Sequence, residues 1–218
     1  MAAMAMSLRV VVPPHPLIGH WLSLLRDRQT PAPLYATAMA ELGRWLTYEA
    51  LRHWLPYRVV ELDTGVGRCE GQVVDAGVPI LTCLLGTEAL GLWDGARPVV
   101  PNSRVVHLDP QRLTLPKSIH SRTGVLVFAA QVASGADLML LLDALEQQGL
   151  TGERLRVITT LVASPGLKAL GERFPDLTIH TACIDPDLGE QGSINPGIGS
   201  VAERLFGGAM LEGAGQSD

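Results

Sequence analysis

The chain is predicted to fold as an α/β protein around a mostly parallel central sheet, and three observations carry that expectation. Apolar runs rich in β-branched residues recur along its length. Most are near-continuous rather than alternating, the pattern of strands buried on both faces of a sheet. From about residue 78 onward, strand-like and helix-like segments alternate, which implies parallel strands joined by crossover helices.

The elements follow in order. LRVVV (8–12) reads as a first strand. Leu17, Ile18, Trp21, Leu22, Leu24 and Leu25 form the apolar stripe of a helix, and Leu34, Ala38, Leu42, Trp45, Leu46 and Glu49 lie along a second. Further strands are read at YRVVEL (57–62), VPIL (78–81), RVVHL (104–108), VLVF (125–128), LRVITTLVA (155–163) and LTIHTAC (177–183). Leu138, Leu141, Leu142 and Leu145 predict a helix ended by Gly149. Pro165 opens another over PGLKALGERF, in the first turn, where its missing N–H costs nothing. Gly65-Val66-Gly67 lacks the strand–helix context of a nucleotide loop and reads as a hairpin turn.

Composition narrows the function classes. A length of 218 residues with 47% hydrophobic and 18% charged residues suits one medium domain with an aliphatic core. The domain is expected over 9–207, with a flexible N-terminus (1–8) and a flexible tail (208–218). A net charge of −5 argues against nucleic-acid partners, which call for a basic face. Cys69, Cys83 and Cys183 lie far apart with no CxxC pair, which points to reduced thiols in a cytoplasmic or comparable reducing compartment and against a metal site. No membrane span or signal segment is read at the N-terminus. The six histidines show no ligand spacing, and Trp21, Trp45, Trp54 and Trp93 read as core or dimer contacts.

In open parallel sheets, ligands bind beyond the carboxyl ends of the strands. Three loops therefore matter: 82–87, 129–137 and the Gly-rich 192–200. The middle one, AAQVASGAD, passes from an apolar run through small residues into a helix, which is the outline of a phosphate cradle.

With HPLIGHWLSLLRDRQT (15–30), LVASPGLKAL (161–170), TACIDPDLGEQG (181–192) and NPGIGSVAERLFG (195–207), these loops resemble the uracil phosphoribosyltransferase family over roughly 9–207. The resemblance implies a type I phosphoribosyltransferase fold, with helices flanking the sheet and a small base-binding hood, and a homodimer. It also implies a reaction joining uracil to 5-phosphoribosyl 1-diphosphate (PRPP), giving UMP and diphosphate with Mg2+.

Residue by residue, the loops depart from the family's pattern. The PRPP loop, V-D-P-M-L-A-T-G-G-S in the family, spans Ala129, Ala130, Gln131, Ser134, Gly135, Ala136 and Asp137 here. The ribose-binding acid has become Ala129, and the phosphate-binding Ser has become Asp137. A carboxylate there repels a phosphate at contact distance. With Ser134 as N-cap, Asp137 is expected either to occupy the helix terminus as a built-in anion or to point to solvent. In the diphosphate loop, Thr82 stands where the family has Arg, followed by Cys83. The lid segment, 105–124, is shorter than the family's. The uracil hairpin keeps Ile194, Pro196, Gly197 and Gly199, with Ser193 and Ser200 replacing a Tyr and an Asp. This turn persists either as a weak pyrimidine site or because the fold needs it.

Four changes in one site predict a relative without PRPP binding or catalysis, acting in regulation, assembly or partner binding. On that reading there is no cofactor and an unidentified protein partner. The alternative is a working uracil phosphoribosyltransferase of pyrimidine salvage, using Mg2+.

Overall fold

A computed structural model describes residues 7–100 and 102–207. The expected tail at 208–218 and most of the expected flexible N-terminus, 1–6, lie outside the described residues.

The chain runs β1 (Arg9–Val11), α1 (Pro16–Arg26), α2 (Ala32–Leu51), β2 (Tyr57–Asp63), β3 (Arg68–Val74), β4 (Ile80–Leu85) and α3 (Ala89–Ala96). There follow β5 (Ser103–Leu108), β6 (Gly124–Val132), α4 (Ala136–Glu146), β7 (Leu155–Ala163), α5 (Ser164–Arg173) and β8 (Thr178–Asp185). The last elements are β9 (Asp187–Leu188), β10 (Ile194–Asn195) and α6 (Val201–Phe206).

Six strands form one parallel sheet in the order β1-β8-β7-β6-β4-β5. Its centre is buried on both faces, as the continuous apolar runs require. Along β6, Leu126, Phe128 and Ala130 join one apolar cluster with α1, α2, α3 and α6. Val125, Val127 and Ala129 alternate into a second cluster with α4.

YRVVEL departs from the expectation of a buried strand. As β2 it pairs antiparallel with β3 in a separate hairpin, and most of its residues are exposed. Near-continuous hydrophobicity marks burial only where a neighbouring layer exists to supply it, and none among the described residues covers this hairpin. Its turn at 64–67 is the one expected from Gly65-Val66-Gly67, closed by Thr64 N–H donating to the Gly67 carbonyl at 2.9 Å. The antiparallel pair β9–β10 forms the small hood beside the sheet. No helix among the described residues is long and apolar enough to cross a membrane.

Candidate active site

β4 and β6 end side by side, with Leu85 in register with Ala129. Beyond them lies a cavity of about 330 Å³ lined by three segments: Leu85, Gly86 and Glu88 after β4; residues 129–138; and Ser200–Ala202 at the start of α6. That volume is in the range of small-ligand sites. Topology therefore gathers segments more than a hundred residues apart in sequence onto one crevice at the carboxyl edge of the sheet.

The 129–138 segment supplies its floor and one wall. Ala129 is buried at the end of β6, where its methyl joins the α4 side of the core. Gly135 takes the left-handed conformation (φ 83°) that lets the chain turn into α4 and is itself the N-cap. The N-cap expected at Ser134 is thus one residue late. Ser134 Oγ instead accepts from the Ala136 N–H at 3.4 Å. Asp137 sits exposed in the first turn and its carboxylate makes no hydrogen bond among the described residues, so of the two expected placements the solvent-facing one holds, at the cavity mouth, and the self-capped cradle does not form. The first-turn N–H groups of α4 have no carbonyl one turn back within the helix, and the helix dipole adds partial positive charge there.

The diphosphate-loop expectation is corrected by the extent of β4. The apolar TCLL continues the strand to Leu85, so Thr82 and Cys83 lie inside the sheet and not in a loop. Both are buried. Thr82 Oγ1 has no hydrogen-bond partner among the described residues, and burial pushes the Cys83 thiol up to about 12. The residues that reach the cavity from this strand are Leu85, Gly86 and Glu88, which sequence reading missed.

On the opposite wall, Ser200 lines the cavity and caps α6, its Oγ accepting from the Glu203 N–H at 3.4 Å. The Ser-x-x-Glu spacing was the signal for this helix start. Ser193, Ile194, Pro196, Gly197 and Gly199 do not line the cavity. They form the turn behind it, and Gln131 Nε2 reaches across to donate to the Gly199 carbonyl at 3.3 Å. The turn is fixed from below. Asp185, at the end of β8, accepts from Arg26 Nη2 at 2.6 Å and Nη1 at 3.1 Å, and from the Gly197 N–H at 2.9 Å. Burial opposes the charge on Asp185, but Arg26 and the Gly197 N–H outweigh it and hold the carboxyl below the usual range. Within the lid segment, Pro110 touches the cavity, and Leu113, Leu115 and Ile119 pack against the α4-side core.

Residues 12–208 match the family model described as uracil phosphoribosyltransferase. The chain belongs to the uracil phosphoribosyltransferase family. It is 40% identical over 215 residues to the uracil phosphoribosyltransferase of Synechococcus elongatus, covering 94% of this chain and 99% of that one. It is 36% identical to the Nostoc protein of that name, over 94% of this chain and all of the relative. To the chloroplastic uracil phosphoribosyltransferase of Arabidopsis thaliana it is 37% identical, over 91% of this chain and 71% of the relative. A solved structure from Aquifex aeolicus superposes with a TM-score of 0.76 at 25% identity, covering 90% of this chain and 97% of that one. The α/β architecture is thus the type I phosphoribosyltransferase fold.

These relatives overturn the expectation of a non-catalytic member. Likeness to proteins named as the enzyme extends along nearly the whole chain. Two of the four losses counted from the sequence also take a different form in three dimensions: Thr82 lies within a strand, and Asp137 leaves the helix terminus open.

Proposed function

We propose that this chain is an active uracil phosphoribosyltransferase, making UMP and diphosphate from uracil and PRPP. The observation that carries this reading is the cavity where residues 129–138, the end of β4 and the start of α6 meet. In the reaction a bond forms between a uracil ring nitrogen and C1′ of the ribose, the C1′–O bond to diphosphate breaks, and the ring nitrogen gives up its proton.

Each wall has a role in this reading. The open N–H groups at the start of α4 hold the 5′-phosphate through backbone and dipole rather than side-chain charge. The start of α6 at Ser200–Ala202 forms the pyrimidine side of the cavity, and the turn at 194–199 behind it sets the position of that wall. Ala129 offers the ribose hydroxyls no acceptor, so ribose recognition is weaker than an acid there would give.

No Lys or Arg is among the cavity-lining residues, whereas Glu88 and Asp137 both are. This donor set fits Mg2+, a hard cation that takes carboxylate and phosphate oxygens together. Glu88 would hold it, and when bound it supplies the charge neutralisation that an anionic donor needs beside the Asp137 carboxylate.

Other features support finer parts of the reading. The β2–β3 hairpin leaves Tyr57, Val59, Leu62, Val66 and Val74 exposed, an apolar surface suited to a homodimer contact. Three unpaired cysteines accord with a reducing compartment such as the cytoplasm. The deciding experiment follows UMP formation from uracil and PRPP with Mg2+. Turnover above background is the expected result, and its absence at saturating substrates would overturn the reading.

A further inference from the structure

Gly197 is the one residue of the turn behind the cavity whose N–H and C=O are both held by the same part-buried ion pair. Its N–H donates to Asp185 Oδ2 at 2.9 Å, and its carbonyl accepts from Arg26 Nη1 at 3.1 Å. Its φ of +64° disfavours any side chain, and an added Cβ would strike the Ile194 carbonyl. The two charged residues come from elements far apart in sequence. Arg26 ends α1, whose Ile18, Leu22 and Leu25 are buried in the core. Asp185 ends β8 and is 2% exposed. α6 locks the same corner, with Arg204 donating to the Leu25 carbonyl at 2.7 Å and the Asp27 carbonyl at 2.8 Å. From Gly197 the chain passes through buried Ile198 to Gly199, which meets Gln131 of the phosphoribosyl loop, and then to Ser200 at the cavity wall.

We propose that Arg26 and Asp185 are positioning residues for the pyrimidine: their ion pair sets the backbone of Gly197 and so the turn that seats Ser200 at the base side of the cavity. Neither lines the cavity, so they act through the turn and not on the substrate. The proposal rests on the reading that the chain uses uracil. Charge on both partners and a bidentate geometry explain why this corner is rigid without a side chain reaching the ligand.

The test compares Asp185→Ala, Arg26→Gln and Arg26→Lys with the unaltered chain, measuring KM for uracil and for PRPP separately. Loss of the clamp is expected to raise the uracil KM about tenfold or more, as losing a charge-assisted hydrogen bond does. The PRPP KM should stay within about twofold, and Arg26→Lys, which keeps the charge but not the fork, should fall between. Equal rises in both KM values, or a fall in kcat alone, would overturn the proposal. Should Asp185→Ala fail to fold, Arg26→Lys carries the comparison by itself. Absence of UMP formation by the unaltered chain would sink the functional reading instead, and amide exchange would then decide the clamp. Exchange in 194–199 should quicken at least about tenfold in Arg26→Lys with β7 unchanged; equal protection in both proteins would overturn it.

Discussion

Across the cavity, residues 133–137 are shaped by a left-handed glycine and one contact of 3.4 Å from Ser134, whereas the turn at 194–200 is held at Gly197 by Asp185 at 2.9 Å and Arg26 at 3.1 Å. In the proposed reaction the first loop meets the donor partly through side chains, so each substitution alters its chemistry directly, as Ala129 and Asp137 do. In that reading the second acts through its shape, so Ser193 and Ser200 can replace larger polar groups while that shape is kept from behind. A site can thus change unevenly: identity is free to drift where recognition is by backbone, and costly where it is by side chain.

The largest expected effect breaks the better-held side. Asp185→Ala leaves the Arg26 guanidinium without its partner at a part-buried corner and should cost about 3 kcal/mol, read as a lower denaturant midpoint at unchanged slope. An effect below about 0.5 kcal/mol, the scale of an exposed pair, would erase the contrast between the two loops.

The second prediction concerns pH, and it falls on β8 alone. Burial, reinforced by Arg156 and Arg9 and partly offset by Glu49, lowers His180 to about 4. Between that value and about 6.5 the unfolded chain binds a proton that the folded chain does not, so stability falls as pH drops through this window. From pH 7 to pH 5 the loss should be about 2 kcal/mol, and His180→Leu should flatten it. Asp185, whose folded carboxyl is lowered, adds a separate loss that begins only below about pH 4. A pH 7 to 5 dependence unchanged in His180→Leu would remove the histidine from the account.

The third sharpens the weaker side. Asp137→Ser removes an exposed carboxylate from the cavity mouth and should lower the PRPP KM about tenfold, with the uracil KM unmoved. Adding Ala129→Asp should lower it further by restoring an acceptor for the ribose hydroxyls. No gain from the pair would place donor affinity elsewhere, with Glu88 the next residue to change.

The smallest effect tests Thr82, read first as a loop residue and found inside β4. Thr82→Val removes a buried hydroxyl without a partner and should raise stability by about 1 kcal/mol at unchanged kcat and KM. A fall in turnover would return Thr82 to the donor site.

Much of the scaffold was legible because burial leaves a pattern. The runs at 125–128, 155–163 and 177–183 became β6, β7 and β8, and the leucine stripe at 138–145 became α4. Three errors share a cause. YRVVEL, TCLL and the N-cap at Ser134 were each read from local preference alone, and tertiary surroundings chose otherwise. An apolar run does not say where its neighbouring layer stops, nor how far a strand continues past its β-branched core. Nor does a Ser-x-x-acid spacing reveal that the glycine between them will take the cap.

Hydrophobic periodicity and a handful of loop motifs were enough, on their own, for the α/β class, the sheet-buried strands and the family, because those depend on patterns carried by contiguous residues. Which side chains face the cavity was decided only by the folded chain. Glu88, Gln131 and Ser200 meet there, while Thr82 and Cys83 do not, and Arg26 finds Asp185 across 159 positions of sequence. Such encounters depend on where strands end and how helices pack, and no single segment contains that information.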